Sequence, residues 1–198
     1  MFKKTLVGFV VLGVVAFVGT AQAQYCGGTI VSDNDCDSNT GRPYSTSCCP
    51  DGYRAQGVAY NDMAGSDEAD AISPICRSIT AGNDMMPTDF QTTPVSHLCD
   101  NTEVMSGIAC KDMPLQGAQA DYLDGCTAVC FNPTTKQTRT LHSEDLGGNT
   151  GRSYVTHTVE LPNRVFGIAY KDSNNGTGKS DVADCATIVY RNEPVVGQ

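Results

Sequence analysis

The chain contains no tryptophan, only three histidines, and 13 Lys and Arg residues against 22 Asp and Glu. Each shortage removes a class of function. Without an indole, a sugar-stacking platform has to come from tyrosines, here Tyr44, Tyr53, Tyr60, Tyr122, Tyr154 and Tyr170. A formal charge of −9 disfavours nucleic acid and anionic membranes, because a phosphate-binding surface needs clustered cations. Phosphate-loop and dinucleotide fingerprints are missing. Past the N-terminus there is no apolar run long enough to span a bilayer and no convincing helical period. What is present is 20 Gly, 10 Cys and 40% apolar residues, which suits turns and strands around a core. A length of 198 residues supports one such core without requiring two domains.

The first residues set the compartment. Lys3 and Lys4 form a positive segment, Leu6 to Val18 an apolar one, and Ala21-Gln22-Ala23 a small-residue cleavage site. The apolar run is shorter than the roughly 20 residues of a spanning helix. Residues 1–23 therefore read as a bacterial Sec-type signal peptide and 24–198 as a single exported domain, extracellular or periplasmic, with no membrane insertion after cleavage. Thr20 to Tyr25 lacks the small apolar residues that a lipidated Cys26 would need. In an oxidising compartment an even number of cysteines implies disulfides rather than metal or thiol chemistry.

An internal repeat organises the rest. Gly57-Val58-Ala59-Tyr60-Asn61-Asp62 recurs as Gly107-Ile108-Ala109-Cys110-Lys111-Asp112 and as Gly167-Ile168-Ala169-Tyr170-Lys171-Asp172. A second match follows each copy: Ser66-Asp67-Glu68-Ala69-Asp70, Ala120-Asp121-Tyr122-Leu123-Asp124 and Ser180-Asp181-Val182-Ala183-Asp184. Asn39-Thr40-Gly41-Arg42 and Asn149-Thr150-Gly151-Arg152 open the first and third copies in the same register, so the repeats run 39–88, 89–148 and 149–198.

Each repeat reads as strands. Val58/Tyr60, Ile108/Cys110 and Ile168/Tyr170 share one face, and the Gly and Ala of the other face allow another backbone to approach closely. Ile72 to Cys76, Cys126 to Cys130 and Ala186 to Tyr190 alternate again as a second strand, and further strands are expected in Thr134–Leu141 and Arg152–Glu160. The class is all-β. Repeats this short cannot each bury a core, so they should pack about a pseudo-threefold axis, as a β-prism of three small sheets or alternatively a β-trefoil. The third repeat has little chain after Tyr190, and Thr29-Ile30-Val31 is placed to supply its missing strand and cover a sheet edge.

The register also proposes disulfides. Cys49 and Cys99 are equivalent, as are Cys76 and Cys130, and the third repeat has Val159 and Tyr190 at these places. Positions that are cysteine together and lost together belong to one bond, which gives Cys49–Cys76 and Cys99–Cys130. Cys110 and Cys126 sit on successive strands and can pair. Cys26, Cys36, Cys48 and Cys185 remain without an order.

The run Cys49-Pro50-Asp51-Gly52-Tyr53, then Gly57, then Gly65-Ser66-Asp67-Glu68-Ala69-Asp70-Ala71-Ile72, ending at Cys76, resembles a repeat of the vitelline membrane outer layer protein family. The first repeat carries most of the resemblance. It implies a secreted, disulfide-bonded β-prism of three Greek-key repeats, with a structural coat or glycan-related role.

The repeated aspartates are the candidate chemistry. Asp112, Asp121, Asp124, Asp172, Asp181 and Asp184 stand on the two longer loops, where long polar segments on a rigid β scaffold commonly carry function. Three readings compete: turn closure through backbone N–H bonds, a calcium site (Asp172, Asp181 and Asp184 above all), and direct sugar contact. His97 and His157 are equivalent, and no nucleophile motif stands beside them. Cysteines in disulfides serve neither as thiolates nor as zinc ligands. The sequence therefore points to a binding module for glycans or a cell-surface polymer, or else to a self-associating coat protein. A glycan-active enzyme with paired acids is the remaining reading.

Overall fold

The computed structural model describes residues 26–33, 36, 43–62, 69–90, 92–112, 123–142, 153–172 and 183–192. Residues 1–23, read from sequence as a signal peptide, lie outside them. The described elements are β1 (Thr29–Ile30), β2 (Ser45–Cys48), β3 (Tyr53–Asp62), β4 (Ala69–Ser78), β5 (Asp84–Met85) and β6 (Val95–Leu98). They continue as β7 (Val104–Asp112), β8 (Leu123–Asn132), β9 (Gln137–Thr140), β10 (Val155–Thr158), β11 (Asn163–Asp172) and β12 (Ala183–Asn192). The fold is all-β.

The strands form three four-stranded sheets, ordered β5-β4-β3-β6, β9-β8-β7-β10 and β1-β12-β11-β2. The centre of each is one repeat's long antiparallel hairpin. One flank is the first short strand of the following repeat: β6 on β3, β10 on β7 and, closing the circle, β2 on β11. The other flank of the third sheet is β1, with Thr29 opposite Tyr190 and Ile30 opposite Val189. The N-terminal segment thus covers this edge of the third sheet.

In all three hairpins the register slips at the same two places. The first slip leaves Gln56, Ser106 and Phe166 as extra residues beside the repeat glycine. Their carbonyls then accept the N–H groups of Cys99, Val159 and Cys49 at 2.9, 2.9 and 2.8 Å, just past the ends of the flanking strands. The glycine is needed because the flanking backbone comes so near. A Cβ on Gly57 or Gly107 would fall under 3.0 Å from the carbonyl oxygen of His97 or His157. The second slip, at the other end of the hairpin, makes Asp70, Asp124 and Asp184 the extra residues.

Equivalent apolar residues meet between the sheets. Val58, Ile108 and Ile168 are each fully buried, and Ile72, Leu123 and Ile188, from different positions of the return strands, are buried with them. Each such side chain contributes about 1.5–3 kcal/mol of transfer free energy. Ala59, Ala109 and Ala169 are buried as well, their short side chains fitting under the close-lying flanking strands. All ten cysteines are joined. Cys49–Cys76 staples the third sheet to the first, and Cys99–Cys130 staples the first to the second. Cys110–Cys126 bridges directly opposed residues of β7 and β8. Cys26–Cys48 and Cys36–Cys185 fasten the N-terminal segment to the third sheet. Val159 and Tyr190 stand where a staple between the second and third sheets would be.

Candidate functional site

The two ends of the hairpins differ in chemistry. At the aspartate end, Asp112 and Asp172 close β7 and β11 and are half-buried, as is Asp184, while Asp124 is only 3% exposed. Asp121 and Asp181 lie outside the described residues, and so does Asp67. Asp124 and Asp184 have a local structural task, since each is the bulged residue that ends its ladder. Around them the charge is managed within the fold. Lys111 and Lys171 are buried, with their ammonium groups 4.7 and 4.6 Å from the ring centres of the equivalent Tyr154 and Tyr44. Lys171 also donates to the carbonyl of Cys36 at 2.5 Å. Burial and the nearby Asp124 carboxylate push the Tyr154 phenol above its ordinary pKa. The first repeat has Asn61 in place of the lysine, hydrogen-bonded by Thr92.

Tyr60 is also accounted for by packing. It is fully buried, stacks on His97 with 6.1 Å between ring centres, and lies against the backbone of Gly125. His157 sits with Nε2 3.0 Å from Asp33 Oδ2, which ties β10 to the N-terminal segment. Among the described residues one trio has metal-like spacing, Cys99, Glu103 and Cys130. Its cysteines are joined to each other, and Glu103 is held by Arg139 at 2.8 Å through both guanidinium nitrogens. Arg139 keeps that carboxyl below the ordinary glutamate range.

At the opposite end, each extra residue of the first slip faces a junction between its hairpin and the next repeat's turn. The three junctions are filled differently. At the first, Gln56 is fully buried and its amide nitrogen donates to the carbonyls of Cys99, Asp100 and Glu103, at 3.3, 2.9 and 2.9 Å. Arg77 of β4 is bonded to Asp84 at 2.7 and 2.9 Å and to Asn101 of the same turn. At the third, the equivalent of Gln56 is Phe166, and the Arg191 guanidinium lies 3.6 Å above its ring and 3.7 Å from Asp51 of the turn.

The second junction is open. Ser106 replaces Gln56 and Phe166, Phe131 replaces Arg77 and Arg191, and Leu161 replaces Asn101 and Asp51. A cavity of about 410 Å³ remains there, lined by the apolar Val104, Met105, Phe131, Val159 and Leu161 and by the polar Thr138, Glu160, Asn163 and Arg164. Ser106 itself is short and turns its hydroxyl to the Val129 carbonyl at 3.2 Å. The volume lies within the roughly 300–1,000 Å³ typical of small-ligand sites. Sequence reasoning centred on the aspartates missed this site. The signal that could have found it is the set of departures at three equivalent positions, which no motif links. Comparison with known families, curated proteins and solved structures gives no match.

Proposed function

We propose that this chain is an exported binding module built as a three-repeat β-prism, with carbohydrate or a cell-surface polymer as its ligand. The observation that carries the reading is a five-disulfide frame that ties together the three sheets and the N-terminal segment. Such a frame can hold a binding surface in place without spending free energy on ordering it. The disulfides suit an oxidising compartment, in line with export. The resemblance of the first repeat to the vitelline membrane outer layer family supports the prism and a secreted role. A glycan array probed with purified residues 24–198 tests the function. Binding to a defined set of glycans is expected, and a blank array sinks the reading.

The second reading, a structural coat protein, is favoured by one feature. Ile79, Met85 and Met86, at the end of β4 and on or next to the edge strand β5 of the first sheet, are exposed, with Ile79 60% exposed. Sizing chromatography separates the two: a blank array with concentration-dependent assembly supports the coat. Calcium at the aspartate loops belongs to the binding reading. Melting temperatures that are equal with calcium and with chelator remove it, and loss of a calcium-dependent shift in Asp184→Asn supports it.

A further inference from the structure

The second junction differs from its two counterparts in what is missing, and the counterparts show what shape belongs there. At the third junction a phenyl ring fills the seat, and its Cε1 would lie 3.0 Å from a Cβ on Gly28. By strand register Gly28 of the third sheet corresponds to Thr138 of the second, since Thr29 faces Tyr190 and Arg139 faces Cys130. The third repeat therefore has a ring with a glycine beside it, whereas the second has a serine with a threonine beside it. The ring is gone, and its neighbour has grown only slightly into the space. The covering guanidinium is also gone, replaced by the Phe131 ring, and the turn offers the half-exposed Leu161 instead of a carboxylate or amide.

We propose that this open junction is a seat for a neutral, single-ring aromatic group, entering past Leu161 and Thr138 into the place that Phe166 takes from within the chain at the third junction. Val104, Met105 and Val159 supply apolar contact, and Phe131 supplies a ring–ring contact. Glu160, Asn163 and Thr138 of the lining can hydrogen-bond a ring substituent. Glu160 and Arg164 put a charge of each sign in the lining, so a ring of either charge meets a like charge there while burial against Val104, Met105 and Val159 strips its hydration. A dry apolar cavity of even about 150 Å³ takes up benzene, so the space suffices for a ring with a substituent. The inference does not depend on glycan binding, because an aromatic ring and a sugar ring are separate probes.

The test uses ¹⁵N-labelled residues 24–198 with all disulfides intact, titrated with p-cresol, N-acetyltyrosinamide and methyl β-glucoside. p-Cresol should shift the amides of Ser106, Thr138, Leu161 and Asn163. Binding should weaken by about tenfold or more, roughly 1.4 kcal/mol, in the double variant Ser106→Phe with Thr138→Gly, which copies the filled third junction. If that variant misfolds, Ser106→Gln, which copies the first junction, makes the same comparison. Tighter binding of N-acetyltyrosinamide than of p-cresol identifies the aromatic group as a polypeptide side chain, and weaker binding identifies it as a free small molecule. Shifts confined to other surfaces, unchanged affinity in the filled variants, or methyl β-glucoside shifting these same four amides would each overturn the proposal.

Discussion

Gly107→Ala probes the packing rule common to the three sheets. The new methyl would fall under 3.0 Å from the His157 carbonyl oxygen, 2.7 Å from Thr158 Cγ2 and 2.9 Å from Thr158 Cα. Two of these atoms are backbone, so relief requires β10 to move off β7. That movement strains the four-residue pairing from Val155 to Thr158 and the Val159 N–H bond to Ser106. Forced overpacking costs about 1–3 kcal/mol, and a lost backbone bond adds about 1 kcal/mol. Replacing glycine returns about 0.5–1 kcal/mol of chain entropy. The net is about 1–3.5 kcal/mol, and at roughly 2–4 °C per kcal/mol for a domain of this size the melting temperature should fall by about 2–14 °C. Far-UV circular dichroism melts with disulfides intact measure it. Gly52→Ala is the control. Gly52 has φ +84° and nothing within 4 Å of the added methyl, so only backbone strain of about 1–2 kcal/mol applies. If Gly107→Ala melts with the wild type, or Gly52→Ala is the more damaging of the two, the close approach of the flanking strand is not what the repeat glycine serves.

Gln56→Leu should cost about 2–3 kcal/mol in urea denaturation, because the buried carbonyls of Cys99 and Glu103 and the part-buried one of Asp100 lose their donor together. Replacing Cys99 and Cys130 by alanine opens a loop of 31 residues' separation and frees the first sheet from the second. Loop-closure entropy puts the loss at about 3–4 kcal/mol, read from the denaturation midpoint. Acid stability should depend on Arg139 and Arg77, whose bonds hold Glu103 and Asp84 below their ordinary pKa values of 4.5 and 3.8. A carboxylate with a lowered folded-state pKa stabilises the fold above its ordinary value and loses that contribution as pH falls through the lowered one. Arg139→Gln should therefore flatten the decline of melting temperature below pH 4.5, and an unaltered acid limb would refute the assignment.

Much of the architecture is written in each repeat separately. The alternation of Val58, Tyr60 and their equivalents specifies strands because side-chain direction in a strand has a period of two. The repeat glycine marks a close backbone approach because it is the residue without a Cβ. Paired loss of Cys49/Cys76-type positions in the third repeat reflects a bond that needs both ends. These signals are local or periodic, so a single chain displays them. The tertiary structure alone decided where each repeat departs from its siblings to some effect. Asp124 and Asp184 read in sequence as loop residues, and pairing register makes them the extra residues of bulges, since register is a property of two strands. Lys111 and Lys171 find the rings of Tyr154 and Tyr44 only because the next repeat's strand is laid alongside. The open junction needs Ser106, Phe131 and Leu161 together, from a bulge, a hairpin's return strand and the following turn. Each is an ordinary residue in its own segment, and a cavity exists only where folding brings the three to one place with nothing large enough to fill it.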